Sequence, residues 1–345
     1  MLQLYKIVLK RALRGGIFTL MIYILSGCGL SLHTEYTPGF TVWMMKQLFD
    51  RESERLNSAL EKYLPEGVNS IQNEIYENRD GLKANLDIHY PSAISKGDML
   101  PTIVWVHGGA WISGKKEDIS NYGKILAGHN FAVVVIDYTL APQRQHPYQV
   151  GQLNRALEYL VRNAERLYID PNRLFLAGDS AGANISAQYA NLLYNPSYAN
   201  DMGIEPLIKP EQLNGLLLYC GPYDIDMIDF NNRYSRFLEV VCKVYSGKKD
   251  FMSVPEFKLI SVLNYLTPEY PPIFISGGNG DPLTPHSIEM SKRLSDLGVP
   301  VSSLFFPEEY EPKLPHEYQF NLDTDAGNLA LKRSVEFIRA YSQRL

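Results

Sequence analysis

A serine stands in a Gly-x-Ser-x-Gly frame at Gly178-Asp179-Ser180-Ala181-Gly182, between the apolar run Leu174–Ala177 and a helical stretch from Ala183. A serine hydroxyl is a weak nucleophile until a base takes its proton, and it must protrude to reach a carbonyl carbon. A strand turning sharply into a helix presents it that way, and the flanking glycines admit the close backbone approach of such a turn. Ser180 is the candidate nucleophile.

The rest of the chemistry must come to it. Upstream, the apolar run Ile103–Val106 leads into His107-Gly108-Gly109-Ala110-Trp111. Amides of such a loop can point at a developing oxyanion, so Gly108 and Gly109, with Ala181 just after the nucleophile, are the expected donors. His107 precedes these glycines and reads as a loop-positioning residue. With this kind of elbow an acid and then a histidine follow in chain order. Of seven histidines only His286 and His316 lie beyond Ser180. Asp281 follows the strand-like run Pro272–Ser276, and His316 follows Val301–Phe306. His316 is therefore the expected base and Asp281 its orienting carboxylate. His286, only five residues past Asp281, reads as a surface side chain. Asp224 also follows a strand and is the alternative acid, whereas Asp179 lies inside the elbow and is not cast as one.

Positioning these groups needs a large scaffold, and the composition supplies it. The 345 residues are 45% hydrophobic and 21% charged, enough for a sizeable core. A net charge of −5 argues against a nucleic-acid partner, and three cysteines are too few for a disulfide scaffold or a Cys-rich zinc site. No metal or organic cofactor is implied. Strand-like runs fall at Ala84–Tyr90, Thr102–Val106, Ala132–Ile136, Arg173–Ala177, Gly215–Tyr219, Pro272–Ser276 and Val301–Phe306. Several are almost continuously apolar, as in a mostly parallel sheet covered on both faces. Helical stretches alternate with them, including Gln149–Arg166, Ala183–Leu193, Pro285–Leu297 and Leu329–Gln343. The pattern predicts one α/β domain over 79–345 with a doubly wound sheet. An aromatic-rich helical insertion is expected at about 222–267. Upstream, Met45, Leu48, Phe49, Leu56, Leu60 and Tyr63 recur at helical spacing, which marks 31–78 as a helical segment.

Taken together, His107–Trp111, Asp137-Tyr-Thr-Leu-Ala-Pro142, Gly178–Gly182, Asp281-Pro-Leu283 and His316-Glu-Tyr-Gln-Phe320 resemble the hormone-sensitive-lipase-like carboxylesterases of the α/β-hydrolase superfamily. The resemblance spans roughly residues 80–342. It implies an α/β-hydrolase fold with a helical cap, which 31–78, with 222–267, would supply. It implies a Ser180–Asp281–His316 triad and an oxyanion hole of Gly108, Gly109 and Ala181. The implied substrates are small carboxylic esters of short to medium chain length. Two positions depart from the pattern: Ala110 replaces a third glycine, and Pro315 precedes His316 where glycine is usual.

The first 27 residues read as an address. Lys6, Lys10, Arg11 and Arg14 precede the uncharged run Gly15–Leu25, the layout of an export signal. Leu25-Ser26-Gly27-Cys28 resembles the lipobox of bacterial lipoproteins, which implies cleavage before Cys28 and lipidation of its thiol. The alternatives are an uncleaved membrane anchor, for which the uncharged stretch Gly15–Leu32 is slightly short of the roughly 20 residues of a spanning helix, and a plain secretory signal. The lipoprotein and anchor readings place the body outside the cytoplasm at a membrane surface. Loss of the four basic residues would leave a formal charge of −9.

Two rival functions use the same residues. A peptidase or aminoacyl hydrolase could employ this triad, and a non-catalytic binding protein could retain the fold. Cys220 and Cys242 are expected as buried free thiols rather than a disulfide. Trp111 and Tyr138 are candidates for the acyl pocket, although most aromatic residues belong to the core.

Overall fold

The apolar runs assemble into one eight-stranded sheet in the computed structural model, which describes residues 38–343 except 96, 229 and 231–234. The strands are β1 (Val68–Arg79), β2 (Leu82–Pro91), β3 (Leu100–Val106), β4 (Ala132–Ile136), β5 (Ile169–Asp179), β6 (Leu213–Tyr219), β7 (Ile273–Gly277) and β8 (Val301–Phe305). Their order is β1-β2-β4-β3-β5-β6-β7-β8. The β1–β2 and β2–β4 pairs are antiparallel, and all pairs from β4 to β8 are parallel.

Alternate residues of the central strands feed two separate cores. Ile103, Trp105, Val133 and Val135 face one, and Val104, Val106, Val134 and Ile136 face the other. Two-sided burial explains why these strands are apolar throughout. On the first face lie α2 (Glu117–Ala127) and α9 (Asp325–Ser342); on the second lie α3 (Tyr148–Arg162), α4 (Ser180–Tyr194) and α8 (Thr284–Asp296). In α3 the residues Val150, Leu153, Ala156, Leu157 and Leu160 form the buried stripe, at the three- and four-residue steps of a helix face. The helices α5 (Pro196–Met202), α6 (Ser235–Ser246) and α7 (Pro255–Lys258) complete the chain after the sheet centre.

The expectation for 31–78 needs correction. Only Pro38–Ala59, here α1, is a long helix; β1 is an edge strand running antiparallel to β2 through the two-residue turn Asp80-Gly81. Both turn residues have positive φ, 53° and 76°, as a tight hairpin demands. Register shifts along β1 and its largely exposed side chains erase the period-two alternation that would mark it as a strand. The segment 222–267 has α6, α7 and short 3-10 turns. It meets α1 through Phe49 and Phe237, whose ring centroids are 5.6 Å apart. The two segments thus pack on each other rather than forming separate covers. The signal segment and Cys28 lie outside the described residues. Among the described residues no helix is long and apolar enough to cross a membrane.

Candidate active site

The elbow at Ser180 is built by steric exclusion. Ser180 takes φ +49° at the junction of β5 and α4, a conformation costing a non-glycine residue about 1–3 kcal/mol. A Cβ on Gly182 would lie 1.9 Å from the Val106 carbonyl oxygen, and one on Gly178 would lie 2.4 Å from the Gly182 carbonyl carbon. Both motif glycines therefore let β5 and α4 close directly onto the end of β3. That contact sets the elbow beside the Gly108-Gly109 loop.

The loop itself is held from several sides. His107 stacks on Tyr138 with centroids 4.2 Å apart, and its Nδ1 lies 2.7 Å from the Gly108 carbonyl oxygen. Burial holds its imidazole down at about 4, so it is neutral and serves the loop's shape. Gly109 has φ +105°, and a Cβ there would meet the Ser113 carbonyl oxygen at 2.3 Å. Further along, Lys116 donates its backbone N–H to Asp137 (2.8 Å) and pairs through Nζ with Asp87 at 3.1 Å, a buried tie to β2 and β4. One expectation changes here. The Gly108 N–H donates to Asp179 Oδ2 at 2.8 Å, so this amide is committed to a carboxylate instead of being free for an oxyanion. Asp179 also accepts from Trp105 Nε1 at 2.8 Å. The aspartate inside the elbow thus clamps the loop, a role the sequence did not disclose.

The expected acid and base meet in the loops that follow β7 and β8. His316 Nδ1 lies 2.8 Å from Asp281 Oδ2, and the Asp281 side chain is fully buried. Asp281 also accepts from the Leu283 N–H at 2.9 Å, which fixes the carboxylate in the loop after β7. Burial works against a charged His316, but the Asp281 carboxylate outweighs it and holds the imidazole well above its ordinary value. The alternative acid, Asp224, instead caps a 3-10 turn by accepting from Asp226 N at 3.0 Å. His286 is not the surface side chain expected. It is buried, and its Nδ1 accepts from the Tyr223 and Asp224 amides, each at 3.3 Å.

Two groups missed from sequence complete the site. Cys220 sits at the end of β6 with φ +45° and hydrogen-bonds to His316; burial pushes its thiol up to about 11. Its sulfur, an Asp281 oxygen and a His316 nitrogen lie within 4.8 Å of one another. This is a donor set that zinc accepts, but the Asp281–His316 contact uses Nδ1, and the trio reads as an acid–base pair with a neutral thiol beside it. Glu317, directly after His316, has φ +59° and hydrogen-bonds to Asp179. Both free cysteines among the described residues, Cys220 and Cys242, are buried and unpaired.

Comparison with known proteins places the chain in a family. The BD-FAE family model matches residues 86–296, about 60% of the chain. This protein belongs to the BD-FAE family of α/β-hydrolases. The matched span of the BD-FAE model includes Gly108, Gly109, Ser180 and Asp281 and ends before His316. A putative α/β hydrolase of Acanthamoeba polyphaga mimivirus is 25% identical over 213 residues, 60% of this chain and 59% of that protein. Carboxylesterase NlhH of Mycobacterium tuberculosis is 37% identical over 122 residues, 35% of this chain and 36% of NlhH. The chain thus spans about three fifths and about one third of these relatives. Esterase B from Lactobacillus rhamnosis superposes with a TM-score of 0.74 at 20% identity, covering 88% of this chain and 97% of that structure. That likeness shows the shared fold.

Proposed function

We propose that this BD-FAE family member is a serine carboxylic ester hydrolase. The observation that carries the reading is the Asp281–His316 hydrogen bond of 2.8 Å on the sheet edge that also bears an elbow serine at φ +49°. Ser180 Oγ attacks the ester carbonyl carbon as His316 takes its proton, and the C–O bond to the alcohol breaks as His316 returns that proton to the leaving oxygen. Water, deprotonated by His316, then releases the acid from Ser180. Asp281 holds the imidazole tautomer and offsets the charge it gains. The amides of Gly109 and Ala181 receive the oxyanion, while Gly108 holds the loop through Asp179. The carboxylesterase NlhH supports the ester as substrate.

Short to medium acyl chains fit best. Trp111, immediately after the oxyanion loop, stacks on Tyr245 of the insertion with centroids 4.7 Å apart, and both rings are buried. Bulky rings at this point shorten the space an acyl chain can enter. Cys28 would carry a lipid that keeps this acidic body at a membrane, since its charge alone would not hold it to anionic lipid. Intact mass of membrane-extracted protein tests that: a full uncleaved chain overturns it.

The central test is hydrolysis of p-nitrophenyl acetate and butyrate. Ser180→Ala should lose at least about 10⁴-fold in kcat and fail to react with a fluorophosphonate. Wild-type turnover in that variant refutes the assignment. Rates across p-nitrophenyl esters from acetate to palmitate should fall beyond medium chain lengths.

A further inference from the structure

Two carboxyl groups that no step of the proposed reaction uses meet beside it. Asp179 directly precedes the elbow serine, Glu317 directly follows the base, and their side chains hydrogen-bond to each other. Both converge on one backbone position: a Cβ on Gly108 would lie 2.3 Å from Asp179 Oδ2 and 3.1 Å from Glu317 Oε1. Two ionised carboxylates have no hydrogen to share, so the contact requires one proton. Each Asp179 oxygen already accepts an N–H, from Trp105 and from Gly108. The proton is therefore drawn to Glu317, which becomes the donor. Asp179 is 3% exposed and the Glu317 side chain 20%, and both line a cavity of about 20 Å³, room for about one water.

We propose that Glu317 is a positioning residue whose protonated carboxyl ties the His316 loop to the elbow and the oxyanion loop, and that activity falls on the alkaline side when this proton leaves. The inference rests on the serine-hydrolase reading above. The geometry leaves little slack, because the tie connects residues adjacent to both Ser180 and His316. Base removes the proton from Glu317 as water, and two carboxylates then face each other in a buried site. An attraction between the loops becomes a repulsion. Burial and the like charge of the two partners raise the pair above the usual carboxylate range, so it holds its one proton more tightly than a free carboxyl would.

The other titratable groups around the pair are Glu52 from α1, Asp118 and Tyr122 from α2, His107, Tyr138 after β4, Tyr219 and Cys220 at the end of β6, Asp281 and His316. Burial moves most of them out of the relevant range: His107 to about 4, Cys220 to about 11, Tyr219 to about 12 and Tyr138 well above its ordinary value. His316 produces the opposite limb, since a base gains activity on losing its proton. Asp118, pushed up to about 7 by burial, is the group whose titration would imitate the pair, and Asp118→Asn controls for it.

The test is the pH dependence of kcat and KM for p-nitrophenyl butyrate in the full chain, with thermal unfolding measured alongside. Glu317→Gln donates to Asp179 at every pH; it should keep kcat at pH 7 within about threefold and lose the alkaline limb. Glu317→Ala should lower kcat about 10- to 100-fold with little change in KM, because the displaced group is the base and not a substrate contact. Asp179→Asn should be at least as damaging, since its amide N–H₂ would face the Trp105 or the Gly108 N–H. The limb should persist in Asp118→Asn. A wild-type alkaline limb in Glu317→Gln overturns the proposal, as does its disappearance in Asp118→Asn. If Glu317→Ala does not fold, Glu317→Gln alone decides. An active Ser180→Ala defeats the hydrolase reading itself, whereas an inactive Ser180→Ala beside an unaltered Glu317→Gln profile defeats only this inference.

Discussion

Close backbone contact dominates the half of the site that carries Ser180, whereas side-chain hydrogen bonds dominate the half that carries His316. In that second half Gly278 alone meets backbone as closely, since a Cβ on it would lie 2.4 Å from the Leu314 carbonyl oxygen. At the elbow, Gly178 and Gly182 bring backbone against backbone, with no room for a single methyl group. The base stands on a loop between β8 and α9 that has little regular structure of its own. Asn279 holds that loop: its Nδ2 donates to the carbonyls of Pro307 (3.0 Å) and Tyr310 (2.8 Å), and its Oδ1 accepts from Leu314 N (2.9 Å). The Gly280 N–H adds a bond to the Leu314 carbonyl at 2.9 Å. Contact of the first kind fails completely when a methyl is added. Bonds of the second kind fail by degrees and respond to pH. Strain follows the same boundary: of nine non-glycine residues with positive φ among the described residues, Ala110, Trp111, Ser180, Cys220 and Glu317 belong to the loops around the site. Such backbone persists because the surrounding packing over-determines it.

The sharpest break should come from Gly182→Ala. Its new Cβ would lie 1.9 Å from a carbonyl oxygen at the end of a buried strand, where neither backbone can retreat without disturbing the sheet. We expect a loss of at least about 3 kcal/mol, measured by denaturant unfolding, with activity vanishing alongside the fold. A soluble variant of wild-type stability would show that the elbow does not rest on β3.

Asp281→Asn should separate chemistry from stability. The amide keeps the shape but cannot hold the imidazole in the tautomer that accepts the Ser180 proton. A loss of about 10⁴-fold in kcat/KM is expected while thermal unfolding changes little. In the wild type the Asp281 carboxylate raises His316 against its burial. The base works only when neutral, so activity should rise with pH and reach half its plateau above the ordinary 6.5. With the carboxylate gone, the midpoint of the residual activity should move down. A wild-type midpoint well below 6.5 would mean that Asp281 does not face the catalytic imidazole in solution.

The same division governs what could be read from the residues alone. Steric constraint writes itself as glycine, and Gly178, Gly182 and the Gly108-Gly109 pair are visible as motifs. Two-sided burial writes itself as apolar runs in β3 to β7, and with β2 and β8 seven of the eight strands are recognisable. The edge strand β1 is not, because its exposed face and its register shifts remove the alternation, although Asp80-Gly81 was a hairpin signal in plain view. Asp281 and His316 follow from chain order. Asn279, Glu317 and Cys220 do not, since each acts through partners brought close only by the sheet, and no local pattern distinguishes such residues from ordinary polar ones. The buried His286 escaped for the same reason: its partners are two amides more than 60 positions away.

Cys220 gives the smallest expected effect and the finest test of the contrast. A thiol against the base invites the idea that it shares in the chemistry. Burial keeps it neutral up to about pH 11, so between pH 7 and 9 it is neither nucleophile nor base, and it can act on His316 only through a weak S–H contact. Cys220→Ala should therefore alter kcat for p-nitrophenyl butyrate by less than about threefold and shift the acid midpoint by no more than a few tenths of a pH unit. The left-handed backbone at this position, φ +45°, is one that alanine shares with cysteine at similar cost, so stability should hardly change. A drop of 100-fold would place the thiol among the groups that set the base, and the His316 half of the site would then rest on four side chains, Asp281, Asn279, Glu317 and Cys220, rather than three.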